Sequence, residues 1–243
     1  MSLRPHVSLA DDVETVSGAG WIVVMAAVIA AFTMLAIIPW STPPLNFIPT
    51  LLFAGMPMAA YLYAHHGRRP LILRRIGPKT VMIAIGFALL TIVCSFIAGL
   101  ALSRVTTLAS NSIVSSLTTE SLSDLIILLA RSAIQLVGEE LVTILPLLAV
   151  LWLCTRRLGM SRRTATLAAV VVSTAWFAAL HLPTYDWNFV QCFGTIGVAR
   201  LVLTTAFLVT RSLWASSIAH IVNDWSLFLF VFIGGHAPIG TEQ

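Results

Sequence analysis

A chain of 243 residues with 58% hydrophobic and 10% charged side chains, and a mean hydropathy of +0.94, carries too little polar surface to cover a soluble globule. Its formal charge of +4 is concentrated in short loops between apolar runs, a topological pattern that argues against nucleic acid as a partner. The expected fold class is all-α: one polytopic membrane helical bundle of about seven transmembrane helices.

The N-terminal tail, 1–19, holds Asp11, Asp12 and Glu14 and lacks a basic region followed by a cleavage site, so no removable signal peptide is expected. Apolar runs long enough to span follow at about 20–40, 45–64, 81–103, 125–154, 165–181, 189–209 and 213–233. They form a single domain over 20–233, with the chemistry concentrated at about 125–233 and a short tail at 234–243. The loop from Arg68 to Lys79 and the turn from Arg156 to Arg163 are basic, whereas 106–124 carries only acids. The positive-inside rule then puts the N-terminus in the cytoplasm and the serine- and threonine-rich loop outside, in a multi-pass cell-membrane protein. That outer loop, 103–123, reads as a mobile linker or an interaction surface. Cys94, Cys154 and Cys192 all fall in apolar segments and read as buried thiols.

The fourth run is too long. As a straight helix it would measure about 45 Å against a hydrocarbon core of about 30 Å, so it must tilt, protrude or kink, and Pro146 is the expected kink. The fifth run poses a problem of depth. His220 lies about 12 Å from the inner end of the last helix, while His181 falls near the outer end of the fifth. If both serve one site, the fifth helix must start later or break near Pro183, with the stretch from Tyr185 to Asn188 dipping back into the protein.

Glu139 and Glu140 interrupt the fourth run. An ionised carboxylate at the bilayer centre costs about 2.5–3.5 kcal/mol on insertion scales, so an adjacent pair requires protons, partners or water. His220, Asn223 and Asp224 share one face of the last helix, with His220 and Asp224 at i, i+4. A carboxylate one turn from an imidazole can hold its tautomer; the same pair could equally serve only to lock helix packing. Taken alone, His181 is a histidine near a helix end. With the glutamates, the two imidazoles make a kit that can activate water and stabilise an oxyanion.

In order, Gly138-Glu139-Glu140, Phe177 to His181, and His220 to Asp224 resemble the three motifs of the CAAX-protease and bacteriocin-processing (CPBP, or Abi) family of intramembrane endopeptidases. The resemblance covers about a hundred C-terminal residues. It implies a glutamate-dependent peptidase in which Glu140 activates water, His181 positions and polarises it, and His220 with Asp224 receives the oxyanion. Two positions depart from the family pattern: Ile144 stands where an arginine is usual, and Asp224 where asparagine is usual. Arg131, Gln135 and Glu139 at i+4 spacing could form a replacement polar stripe. Arg200 is another possible partner, although either arginine could instead snorkel from a helix end.

The expected substrate is a membrane-associated peptide or protein, met within the bilayer. No cofactor is expected; zinc on Glu140, His181 and His220 is the alternative by ligand type, without a His-Glu-x-x-His spacing to support it. Two other functions fit the composition: a non-proteolytic scaffold or immunity-type regulator with a membrane protein partner, favoured by Ile144, and a proton-coupled transporter using the carboxylates and histidines.

Overall fold

The computed structural model describes residues 9–237, so the expected tails at 1–19 and 234–243 lie partly outside the described residues. A short helix α1 (Leu9–Val13) precedes α2 (Gly18–Ile37) and α3 (Phe47–Ala64), and a 3-10 turn at Leu71–Leu73 leads into α4 (Pro78–Leu102). Then come α5 (Ser112–Ser116), the long α6 (Leu122–Trp152) and α7 (Arg162–Leu180). The chain ends with α8 (Phe189–Gln191), α9 (Gly197–Thr210) and α10 (Leu213–His236). Among the described residues there is no strand, and seven helices are long and apolar enough to cross a membrane. The molecule is a multi-pass integral membrane protein, with spans within about four residues of those read from hydropathy.

Local chemistry sets the helix starts. Ser17, Ser121 and Ser161 each accept a backbone N–H three residues on, from Gly20, Asp124 and Thr164, and Pro78 occupies the first helical position of α4. α6 is the axis of the bundle: 67% of its most apolar window is buried, against 39% or less in every other span. It packs against α2, α3, α7 and α10. At 31 residues it is about 46 Å long, and it continues through Pro146 as one helix before loosening into a π turn at Leu153–Arg157.

Proline at 146 removes the N–H that would bond the Val142 carbonyl. Trp176 of α7 supplies the missing donor: its indole N–H reaches that carbonyl at 3.1 Å. The missing bond thus fastens α7 to α6, one turn from the glutamates. One turn earlier on α6, α3 approaches so closely that a Cβ at Gly138 would collide with the Phe53 ring. Gly138 is the position that lets α3 and α6 meet beside the polar pair.

At the end of the bundle bearing the basic loops, buried Asp12 accepts the Leu71 backbone N–H with both carboxylate oxygens, at 3.1 and 3.2 Å. His65 stands 3.9 Å away. Burial raises the Asp12 pKa from 3.8, against the opposing pull of the Leu71 N–H and His65. At the other end the serine- and threonine-rich loop is tied down over 107–111. Gln191 donates to and accepts from the backbone of Ala109, and Asn188 donates to the Thr107 carbonyl at 2.9 Å.

Candidate active site

The polar residues at membrane depth come from four helices. Glu139 and Glu140 lie mid-way along α6, His181 terminates α7, Arg200 projects from α9, and His220, Asn223 and Asp224 share a face of α10. Helix α7 stops at Leu180 and the chain turns through a 3-10 segment, Leu182–Tyr185, before Asp186 and Trp187 adopt left-handed backbone conformations. The chain thus breaks next to Pro183, as a shared site for His181 and His220 requires.

Phe177 gathers the site. Its ring centroid is 4.4 Å from that of His181 and 6.3 Å from that of His220, and the Arg200 guanidinium carbon stands 5.2 Å from the same ring. The phenylalanine of the Phe-x-x-x-His spacing thus packs between both imidazoles and beneath a cation. Its backbone carbonyl also fixes a tautomer. The Nδ1–H of His181 donates to that carbonyl at 2.8 Å, which leaves Nε2 of the neutral ring as an acceptor.

The two glutamates have different surroundings. Glu140 is fully buried, and Arg200, also fully buried, grips it bidentately: Nη1 donates to Oε1 at 2.6 Å and Nη2 to Oε2 at 3.0 Å. His220 Nδ1 donates to the same Oε1 at 2.9 Å, and Arg200 Nε donates to Thr204 Oγ1 at 3.2 Å. Both oxygens of Glu140 are therefore engaged. Glu139 keeps 16% of its side chain exposed, accepts from Gln135 Nε2 at 3.0 Å, and lies 3.9 Å from His220 Nε2. Asp224 is 27% exposed at its side chain, stands 3.8 Å from the same Nε2 and accepts from Asn223 Nδ2 at 2.9 Å. His220 thus ties Nδ1 to the sealed Glu140 and presents Nε2 toward Glu139 and Asp224.

Of the residues read from sequence, Glu139, Glu140, His220, Asn223 and Asp224 converge through these contacts, and His181 joins them through Phe177. The stripe expected from Arg131 forms only in part. Gln135 reaches Glu139, whereas Arg131 is half-buried on α6 with no hydrogen bond or ion pair to Glu139. Arg200 is a buried counter-ion, and the snorkelling alternative does not apply to it. Ile144, where the resembled motif carries an arginine, is buried in the apolar core.

Two features were not read from the sequence. One is the division between the glutamates. Glu139 has Gln135 and Thr143 at i±4, whereas Glu140 has Leu136 and Ile144, so the neighbours on each helical stripe carry the signal. The other is Tyr185. Burial raises its phenol pKa above 10.0, against the lowering effect of the Asn111 amide 3.5 Å away, and the charges of Asp224, Cys192 and Glu139 raise it further. This places a neutral phenol on the loop side of the acidic cluster.

Among the described residues, no three His, Cys, Asp or Glu side chains form a metal-ligand group, and Glu140 of the zinc alternative already spends both oxygens on Arg200 and His220. A family model described as type II CAAX prenyl endopeptidase, Rce1-like, matches residues 120–226, which contain every residue of the site. No curated protein and no solved structure matches the chain.

Proposed function

We propose that the chain hydrolyses a membrane-associated peptide or protein, with Glu139 rather than Glu140 as the base; the match of residues 120–226 to a type II CAAX prenyl endopeptidase family model supports an intramembrane endopeptidase of the CPBP (CAAX-protease) kind. The observation that carries this reading is the asymmetry of the pair: Glu140 is sealed between Arg200 and His220, while Glu139 remains partly open beside His220 Nε2.

In this mechanism a water held between Glu139 and Nε2 of His181 attacks the scissile carbonyl carbon. As the C–O bond forms, Glu139 takes the water's proton and the carbonyl π electrons move onto oxygen. His220 Nε2 receives that oxyanion when it carries a proton, and the Asn223 amide is the neutral donor beside it. Collapse of the tetrahedral intermediate breaks the C–N bond, and the departing amine takes the proton from Glu139. In this reading the side chains supply the whole proton circuit.

Arg200 also weighs between the functions left open by the sequence. The scaffold reading rested on Ile144, the missing arginine, and a cation delivered to the glutamate pair from α9, on Glu140, favours the peptidase over it. The basic loops support a cell-membrane protein with its N-terminus in the cytoplasm.

The test compares protein termini in host membranes carrying wild type, Glu139→Gln or Glu140→Gln at matched abundance. Specific termini should appear with wild type and fall by at least about 100-fold with Glu139→Gln, the lower bound for losing a general base. Coincident profiles, combined with a phenotype for deletion of the whole protein, would move the assignment to the scaffold. Proton-coupled flux in vesicles without new termini would move it to the transporter.

A further inference from the structure

A groove of about 720 Å³ lies between α3, α6 and α10, apart from the carboxylates, and nothing in the proposed mechanism uses it. Its volume falls within the range of about 300–1,000 Å³ typical of small-ligand pockets. The lining changes character along its length. Arg69 and Arg75, both exposed on the loop after α3, stand at one end, and Arg69 is held in place by donating to the Leu73 carbonyl at 2.9 Å. Trp214 and Ser217 of α10 come next. Beyond them the walls are hydrocarbon: Ala54, Ala133, Val137, Ile218 and Ile221.

Ser217 supplies a second, independent sign of a ligand. Its side chain is 2% exposed, it lines the groove, and its hydroxyl has no hydrogen-bond partner. A buried hydroxyl left unpaired is unfavourable, and rotation toward the groove would let it donate to an ester carbonyl there. Ser217 lies five residues into α10 from Ser212, about 7 Å below the helix start. The order along the groove is therefore guanidinium, hydroxyl, hydrocarbon. A phospholipid presents phosphate, ester carbonyl and acyl chain in that same order.

We propose that this groove binds an anionic phospholipid from the leaflet facing the basic loops, its phosphate between Arg69 and Arg75 and one acyl chain along α3, α6 and α10. A polypeptide segment fits less well, since it would bring backbone amides against hydrocarbon walls that offer them no partners. The site does not depend on the peptidase assignment. It does adjoin it: Val137 is two residues from Glu139, and Ile221 follows His220.

Trp214 provides the reporter. The purified full chain is placed in bilayers of phosphatidylcholine containing a fixed fraction of either brominated phosphatidylglycerol or brominated phosphatidylcholine. Quenching of Trp214 is the difference between wild type and Trp214→Phe. The anionic lipid should be favoured by about fivefold or more, the factor expected for one basic residue at an anionic surface. Arg69→Gln/Arg75→Gln should bring the preference to unity. Arg68→Gln/Arg74→Gln, which removes the same charge from the same loop outside the groove, should leave it unchanged. Excess inorganic phosphate should not compete. Equal quenching by both lipids in wild type would overturn the proposal. So would a preference lost equally in the two double variants, which would assign it to loop charge, or quenching relieved by phosphate alone.

Discussion

Replacing Arg200 by methionine leaves the Glu140 carboxylate buried, with His220 Nδ1 as its remaining donor. Removing one partner of a buried ion pair costs about 3–5 kcal/mol, because the other charge stays desolvated and uncompensated. Two lesser interactions disappear with it: the Arg200 bond to Thr204, and the guanidinium over Phe177 at 5.2 Å. Arg200→Met should therefore lose at least about 3 kcal/mol of unfolding free energy. Glu140→Gln strands the guanidinium instead and should lose a similar amount. Glu140→Gln/Arg200→Met strands no charge and keeps an amide oxygen to accept from His220, so it should lose less than the sum. The coupling energy should be about 2–3 kcal/mol, the upper part of the range for contacting residues. The assay is equilibrium unfolding of purified protein in mixed micelles, run as a double-mutant cycle. A loss below about 1 kcal/mol for Arg200→Met, or additivity within about 0.5 kcal/mol, would refute Arg200 as the structural counter-ion of Glu140.

Three further outcomes follow from the same packing. Trp176→Phe removes the donor to the carbonyl that Pro146 leaves free and should cost about 1–3 kcal/mol, whereas Trp176→Phe with Pro146→Ala should recover part of that loss because position 146 regains an N–H; the same unfolding assay reads both. Gly138→Val forces the Phe53 ring away from α6 and should lower melting temperature more than Gly55→Val, where a Cβ meets nothing within 4 Å; equal effects would mean that α3 and α6 can separate freely. Asp12 holds its proton more tightly folded than unfolded, so its contribution to stability declines as pH rises above 3.8 through the higher folded value. Asp12→Asn, which keeps an acceptor for the Leu71 N–H, should gain melting temperature relative to wild type over that rise, and a pH-independent difference would contradict the raised pKa.

Hydropathy made the spans legible because lipid allows few solutions to backbone hydrogen bonding: seven sufficiently long apolar runs became seven helices. The face shared by His220, Asn223 and Asp224 was legible for a similar reason, since helical periodicity fixes which side chains lie together within one element. Contacts between elements were less accessible. Arg200 and Glu140 are 60 residues apart, and their pairing depends on how α6 and α9 are rotated, which no local spacing encodes. Likewise, the break at His181 comes from where α7 ends, not from the motif that contains it.

The adjacent glutamates carry the same lesson into chemistry. Consecutive helical residues point about 100° apart, so the two members of a Glu-Glu pair leave the helix into different surroundings even though both reach His220 here. One side chain had to face the packed interior, and a buried carboxylate is tolerable only with full compensation. Leu136 and Ile144 on the stripe of Glu140, against Gln135 and Thr143 on that of Glu139, identify which one it is. With Ile144 at the position where the resembled motif carries an arginine, compensation comes from another helix, and Arg200 provides it while stacking on the same Phe177 ring that packs against both histidines. Glu140 is thereby sealed between Arg200 and His220, while Glu139 keeps 16% of its side chain exposed, the asymmetry on which the proposed choice of base rests.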